Sequence, residues 1–154
     1  MEYLFVKWLH ILSSTLLFGT GIGSAFYLLM TSLSHNLPAT ATVTRIVVWA
    51  DWLFTAPTVL LQPLSGFYLL HLAGIPFATP WVWWSAILYG IAIACWIPVV
   101  ALQIKMRDCA DQAAHHGDTL PPIYWQHLKW WVVLGIPALI AFLLVFYLMV
   151  FKPQ

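Results

Sequence analysis

Four long apolar runs, separated by short polar or turn-forming stretches, dominate the chain. They cover about 3–31, 45–73, 81–106 and 126–151. Each is longer than the ~20 residues a helix needs to cross the hydrocarbon core of a bilayer. The pattern predicts an all-α protein, a transmembrane four-helix bundle that forms one domain over 1–154. The first run does not read as a signal peptide, because Glu2 and Lys7 cancel and the apolar stretch is too long. Between the runs, 32–44 (SLSHNLPATATVT) is polar, contains Pro38 and reads as a loop. The stretch 74–80 (GIPFATP) reads as a short uncharged turn. The only markedly hydrophilic segment is 107–124. Its first part is expected to continue as helix into water, with Gly117, Pro121 and Pro122 ending it. Pro57 and Pro63 predict a kink or an irregular turn near the middle of the second run. Pro98 and Pro137 lie inside the third and fourth.

Composition removes whole classes of function. Of 154 residues, 62% are hydrophobic and 7% are charged, against roughly 25% charged in soluble domains. That excludes an ordinary cytosolic enzyme and a disordered chain. A net charge of +1 provides no field for nucleic acid. The expected surroundings are therefore a lipid bilayer. Two cysteines, Cys95 and Cys109, make no disulfide framework. Nucleophile–base pairs, phosphate loops and dinucleotide fingerprints are absent from the sequence.

Charge also orients the bundle. Four spans place both termini on one face and loops 1 and 3 on the other. Arg45, Lys105, Arg107 and Lys129 flank loops 1 and 3, and only Lys7 and Lys152 lie near the termini. The positive-inside rule puts loops 1 and 3 in the cytoplasm and the termini outside. Tryptophans fit two interfacial belts: Trp8, Trp81, Trp83 and Trp84 on the terminal side, and Trp49, Trp52, Trp125, Trp130 and Trp131 on the other. Trp96 lies deeper.

Ionisable groups inside a span are costly, so they are functional candidates by default. The shortlist is Lys7, His10, Asp51, His71 and His127, with Gln62 and Gln103 as uncharged polar members. His10 lies ~10 Å along the first helix from Tyr3. It precedes a run of small residues in which Gly19 pairs with Gly23 and Gly21 with Ala25. Such spacings let a helix or a flat ring approach the backbone. A neutral imidazole beside such a face suits an axial ligand to heme iron. The plainer account is that His10 hydrogen-bonds a neighbouring helix and the glycines serve packing alone.

In the second helix Asp51, Thr55, Thr58 and Gln62 are spaced four, three and four apart, and Ser65 and Gly66 continue the row. They form one polar face that must meet protein or a cavity. For Asp51 the plain expectation is an ion pair with Arg45, Arg107 or Lys129, and the sharper one is a proton-relay role. His71 and Met149 are candidate second axial ligands. On a straight helix His71 points about 180° away from Gln62, which favours interfacial anchoring. Asp108, Cys109, Asp111, His115 and His116 contain transition-metal ligand types, but a solvated loop suits them better.

The blocks KWLHILSS (7–14), LFGTGIGSA (17–25), ADWLFTAPTVLLQPLSG (50–66), CWIPVVALQIKMR (95–107) and FYLMVFKP (146–153) carry a resemblance. Together they resemble the integral-membrane family of unknown function 2269. That family looks related to the CopD-like group, which includes copper-resistance membrane proteins and the HemJ-type protoporphyrinogen oxidases. The resemblance implies a small bundle with a first-helix histidine near its outer end, a position His10 matches, and a bacterial inner (plasma) membrane location. It also implies heme b, with His10 as a ligand; His71, Met149, Gly19 and Gly23 are the candidate cofactor contacts that their placement in the chain suggests. The expected chemistry is electron transfer with a quinone or a redox partner protein. The alternative is a heme-free membrane subunit, a homo-oligomer among the options, or a small-solute or metal transporter. In that alternative the Asp51–Gln62 face lines a cavity or a helix interface.

Overall fold

The computed structural model describes residues 1–153; Gln154, the last position of the expected domain, lies outside the described residues. It contains α1 (Glu2–Leu33), α2 (Leu37–Ala50), a π-helical turn (Asp51–Thr55), α3 (Ala56–Ala73), α4 (Pro80–His116) and α5 (Pro122–Phe151). α2, the π turn and α3 run on as one rod, giving four helices long and apolar enough to span a membrane. The protein is a transmembrane helical bundle.

The second span begins eight residues earlier than the polar pattern of 32–44 suggests, counting from 45 back to 37. The cause is local. The Asn36 side chain accepts from the Ala39 N–H at 3.1 Å, capping the helix. Pro38 sits in the first turn, where its missing N–H costs nothing. The Thr40 and Thr44 hydroxyls donate back to the Asn36 and Thr40 carbonyls at 2.9 Å each. Their polarity is spent inside the helix, so both are buried.

The π turn precedes Pro57. A proline there has no N–H for the Leu53 carbonyl and its ring crowds that oxygen. Winding the preceding turn wider relieves the clash, and the Ala56 N–H bonds the Asp51 carbonyl five residues back. Pro63 is handled differently. It leaves the Val59 carbonyl without its helical donor, and the Tyr89 hydroxyl of α4 donates to that oxygen at 2.7 Å.

α4 spans 37 residues, or ~56 Å at 1.5 Å per residue. That exceeds the ~30 Å hydrocarbon core, so one end projects into water. Gly117 ends it in the left-handed conformation at φ 70°, and the Asp118 N–H caps the Ala113 carbonyl.

α1 packs along α3 and α2, and α4 along α5 and α2. The main apolar core joins Leu28, Val47, Val99, Met106, Tyr124 and Trp131. Within it the Tyr124 and Ser32 hydroxyls meet at 2.6 Å, tying α5 to α1. Phe18 and Phe146 meet edge to face at 5.1 Å and join the same two helices further along. Trp8, Trp49, Trp52, Trp83, Trp84 and Trp130 are exposed on the outside of the bundle, as interfacial residues should be. Trp81 and Trp131, placed in the belts by sequence, are instead buried among protein side chains.

Candidate functional site

The polar face of the second span divides between two places. The half nearer the chain termini, Gln62 and Ser65, meets α1. The Gln62 amide donates to Ser13 Oγ at 2.6 Å and to the His10 carbonyl at 3.0 Å. His10 Nδ1 and Ser65 Oγ lie 2.7 Å apart. Ser65 has one hydroxyl proton, and it goes to the Leu61 carbonyl at 2.6 Å. Ser65 Oγ is therefore the acceptor for His10, and Nδ1 carries the ring proton. The lone pair of the imidazole then sits on Nε2. The imidazole lies against α3 at Gly66, where a Cβ would stand 3.4 Å from His10 Cε1.

His71 does not join this network. Gln62 with Ser13, Ser65 with His10, and Tyr68 with Glu2 set an antiparallel register between α3 and α1. His71 lies beyond the last of these pairs, near the start of α1, and is exposed. Met149 is 37% exposed near the end of α5. Gly19 and Gly23 have no atom within 4 Å of where a Cβ would sit. No helix approaches either of them closely, and neither lines the central cavity.

The other half of the face, Asp51 and Thr55, borders a cleft of about 260 Å³ between the four spans, open to the outside where Ile22, Ile136 and Leu139 are exposed. Its walls are mainly aromatic and aliphatic, with Gly21, Ser24 and Ala25 supplying the α1 side. Asp51 is 4% exposed and Gln103 5%. Asp51 Oδ1 accepts from Thr55 Oγ1 at 2.9 Å. Its other oxygen, Oδ2, is buried without a partner among the described residues, as are Gln103 Oε1 and Trp131 Nε1. The Gln103 side chain stands beside Asp51, within hydrogen-bonding reach of its carboxyl. These three polar atoms thus lie behind the mainly apolar wall, without accessible surface of their own.

The ion pair expected for Asp51 does not form. Arg45 pairs instead with Asp111 at 3.0 Å, and Arg107 with its neighbour Asp108 at 2.7 Å. Among the described residues no three His, Cys, Asp or Glu side chains converge as a metal site. His116 Nδ1 is taken up by the Gln112 carbonyl at 2.7 Å. The sequence reading missed Trp131 as a cavity residue because Lys129 and Trp130 beside it suggest an interface. A heptad row does mark it: Tyr124, Leu128, Trp131, Gly135, Ala138 and Phe142 are spaced four, three, four, three and four apart. Every member is buried in the core or lines the cavity, and Trp130 lies off the row.

No curated protein and no solved structure matches the chain. Residues 4–153 match the family described as predicted integral membrane protein (DUF2269), and the chain belongs to that family.

Proposed function

We propose that the protein is a binding or carrier bundle for a small, mainly apolar solute, held in the cleft beside Asp51 and Gln103. One observation carries this reading. A cleft of about 260 Å³ with mainly apolar walls runs between the four spans, with Asp51, Thr55 and Gln103 among its few polar lining residues. Intramembrane ionisable groups mark solute or ion pathways. The bundle sits with loops 1 and 3 in the cytoplasm, as the basic residues around them favour.

The test fills the cavity. Gly135 lines it and has nothing within 4 Å of its Cβ position, so Gly135→Leu should fit without a clash. Small apolar molecules should raise the Tm of the purified wild type. Gly135→Leu should fold, melt higher without ligand, and lose that response. An unchanged ligand response in Gly135→Leu would remove the cavity from consideration.

A second reading has its own supporting observation. The Ser65 bond fixes His10 with Nε2 bearing the lone pair. That is the state in which a histidine ligates a metal, with its other nitrogen held by a hydrogen bond. His10 would be the residue to hold heme b, which would supply one-electron redox chemistry toward a quinone or a partner protein. His10 does not line the central cavity, so such a heme would sit apart from the solute. Absence of a Soret band after expression with ample heme would dismiss it.

A further inference from the structure

Granted that the cleft binds an apolar guest, we infer that the guest is one acyl chain of a phospholipid, drawn sideways between α1 and α5 from the leaflet on the side of loops 1 and 3. The mouth decides the route. α1 and α5 are tied at two levels, by the Ser32 and Tyr124 hydroxyls and by the edge-to-face pair of Phe18 and Phe146. They are not among the helix pairs that pack along each other. The cleft opens in the gap. Its α5 edge, from Trp131 to Phe142, lies between the two ties, and its α1 edge reaches from the Phe18 tie to Ala25. Gly21 and Gly135 face each other's helices across this gap with nothing within 4 Å of a Cβ on either. Ile22, Ile136 and Leu139 at the rim are exposed on the outside of the bundle, where the surroundings are lipid tails.

Depth decides the leaflet. On α4 the cleft runs from Ile93, the middle of the apolar run 81–106, to Gln103 near its loop-3 end. Those residues stand ~15 Å apart along a helix, half of the ~30 Å hydrocarbon core. The other walls repeat that range, with Val59 and Phe142 at the midplane end and Asp51 and Trp131 at the loop end. The cleft therefore covers one leaflet lengthwise, in the direction in which acyl chains lie.

The walls decide the occupant. The partnerless polar atoms of Asp51, Gln103 and Trp131 lie behind the wall, so the surface that a guest meets is hydrocarbon and aromatic. No Lys or Arg lines it. Water there would lack polar partners, and an empty slot would forfeit the dispersion contacts of its lining. Lipid tails are as apolar as the walls, so occupancy rests on fit rather than on a hydrophobic gain. A volume of about 260 Å³ drawn out over one leaflet suits a single slender chain and turns away a fused-ring body. A water-soluble solute would have to cross the headgroups to reach this mouth, whereas acyl chains already lie against it.

The experiment uses the full-length protein in nanodiscs that contain phosphatidylcholine with a photoreactive diazirine in one palmitoyl chain. One probe carries the diazirine near the carboxyl end of the chain and the other near the methyl end. Mass spectrometry locates the adducts. Cleft residues should be labelled at least fivefold more than Leu60 and Leu64, which are exposed on α3. The carboxyl-end probe should label around Gln103 and Trp131, and the methyl-end probe around Phe18 and Phe142. Gly135→Leu should lower cleft labelling at least fivefold and leave Leu60 and Leu64 unchanged; Gly21→Leu serves if Gly135→Leu does not fold. Cleft labelling no higher than that of α3, or unmoved in a folded variant, overturns the inference, and a reversed order of the two probes overturns the leaflet. Propylbenzene separates this from the reading beneath it. If it raises the Tm of the wild type but not of Gly135→Leu while lipid labelling is uniform, the acyl chain falls and the apolar-solute reading stands. If neither response appears, both fall together.

Discussion

The Tyr89 hydroxyl donates to the Val59 carbonyl at 2.7 Å, the oxygen that Pro63, four residues later, leaves without its helical donor. A proline in the middle of a transmembrane helix is tolerated when a neighbour satisfies the freed carbonyl. Here the neighbour comes from α4, so the repair also fixes how α3 lies against α4. Tyr89→Phe should lower stability in detergent by about 1–2 kcal/mol, the cost of stranding a buried acceptor. In a Pro63→Ala background the backbone N–H returns and competes for the same oxygen. There Tyr89→Phe should cost markedly less. A double-mutant cycle on unfolding free energies measures the coupling, and strict additivity would show that the tyrosine does not serve this carbonyl.

The Ser65 contact makes a sharper prediction about His10. Nitrogen chemical shifts of labelled histidine should show the Nδ1-protonated tautomer in the wild type. Ser65→Ala removes the acceptor and should release that preference, giving a mixture of tautomers. Gly66→Ala should be tolerated, because its Cβ would stand at ordinary contact distance from the ring, at 3.4 Å. Gly66→Leu should displace the imidazole and disturb the same signals. An Nε2-protonated ring in the wild type would contradict the hydrogen-bond network.

These contacts show where the sequence is legible and where it stops. The four spans follow from length and hydropathy, because a bilayer imposes a fixed thickness on any helix that crosses it. The polar face from Asp51 to Gln62 is readable because helical spacing alone defines a face. What each part of that face touches is not readable. The partner of Ser65 lies 55 residues away, and only the antiparallel register of α1 and α3 brings them level. Thr40 and Thr44 mislead for the opposite reason. Their hydroxyls count as polar in a composition window, yet in place they bond their own helix and pack inward. Trp131 misleads because adjacent tryptophans on a helix point about 100° apart, so one faces lipid while the other enters the core.

Charge placement gives a prediction about topology. Arg45 and Asp111 pair across loops 1 and 3, so these loops share one face of the bundle. A reporter active only in the cytoplasm should work when inserted near Gly117 and fail when fused beyond Lys152. The reverse outcome would invert the assignment. Asp111→Asn should change stability by under about 1 kcal/mol, because the ion pair is partly exposed. It should leave the reporter pattern unchanged, since acidic residues contribute little to orientation.

Ser32 and Tyr124 hold the first and last helices together, and the two hydroxyls are not equally dependent on each other. Ser32 already donates to the Leu28 carbonyl at 2.7 Å, which leaves the Tyr124 hydroxyl as the donor to Ser32. Tyr124→Phe removes that donor while Ser32 keeps its bond to α1. The cost should be about 0.5–1.5 kcal/mol, that of one net hydrogen bond. Ser32→Ala strands the phenol of a fully buried tyrosine and should cost more, about 1–3 kcal/mol. Tyr124→Ala should cost most, roughly 3–5 kcal/mol, because it empties the centre of the main core. The predicted order in thermal unfolding is Tyr124→Phe mildest, Ser32→Ala intermediate and Tyr124→Ala worst. If Ser32→Ala proves milder than Tyr124→Phe, the assignment of donor and acceptor in this pair is reversed.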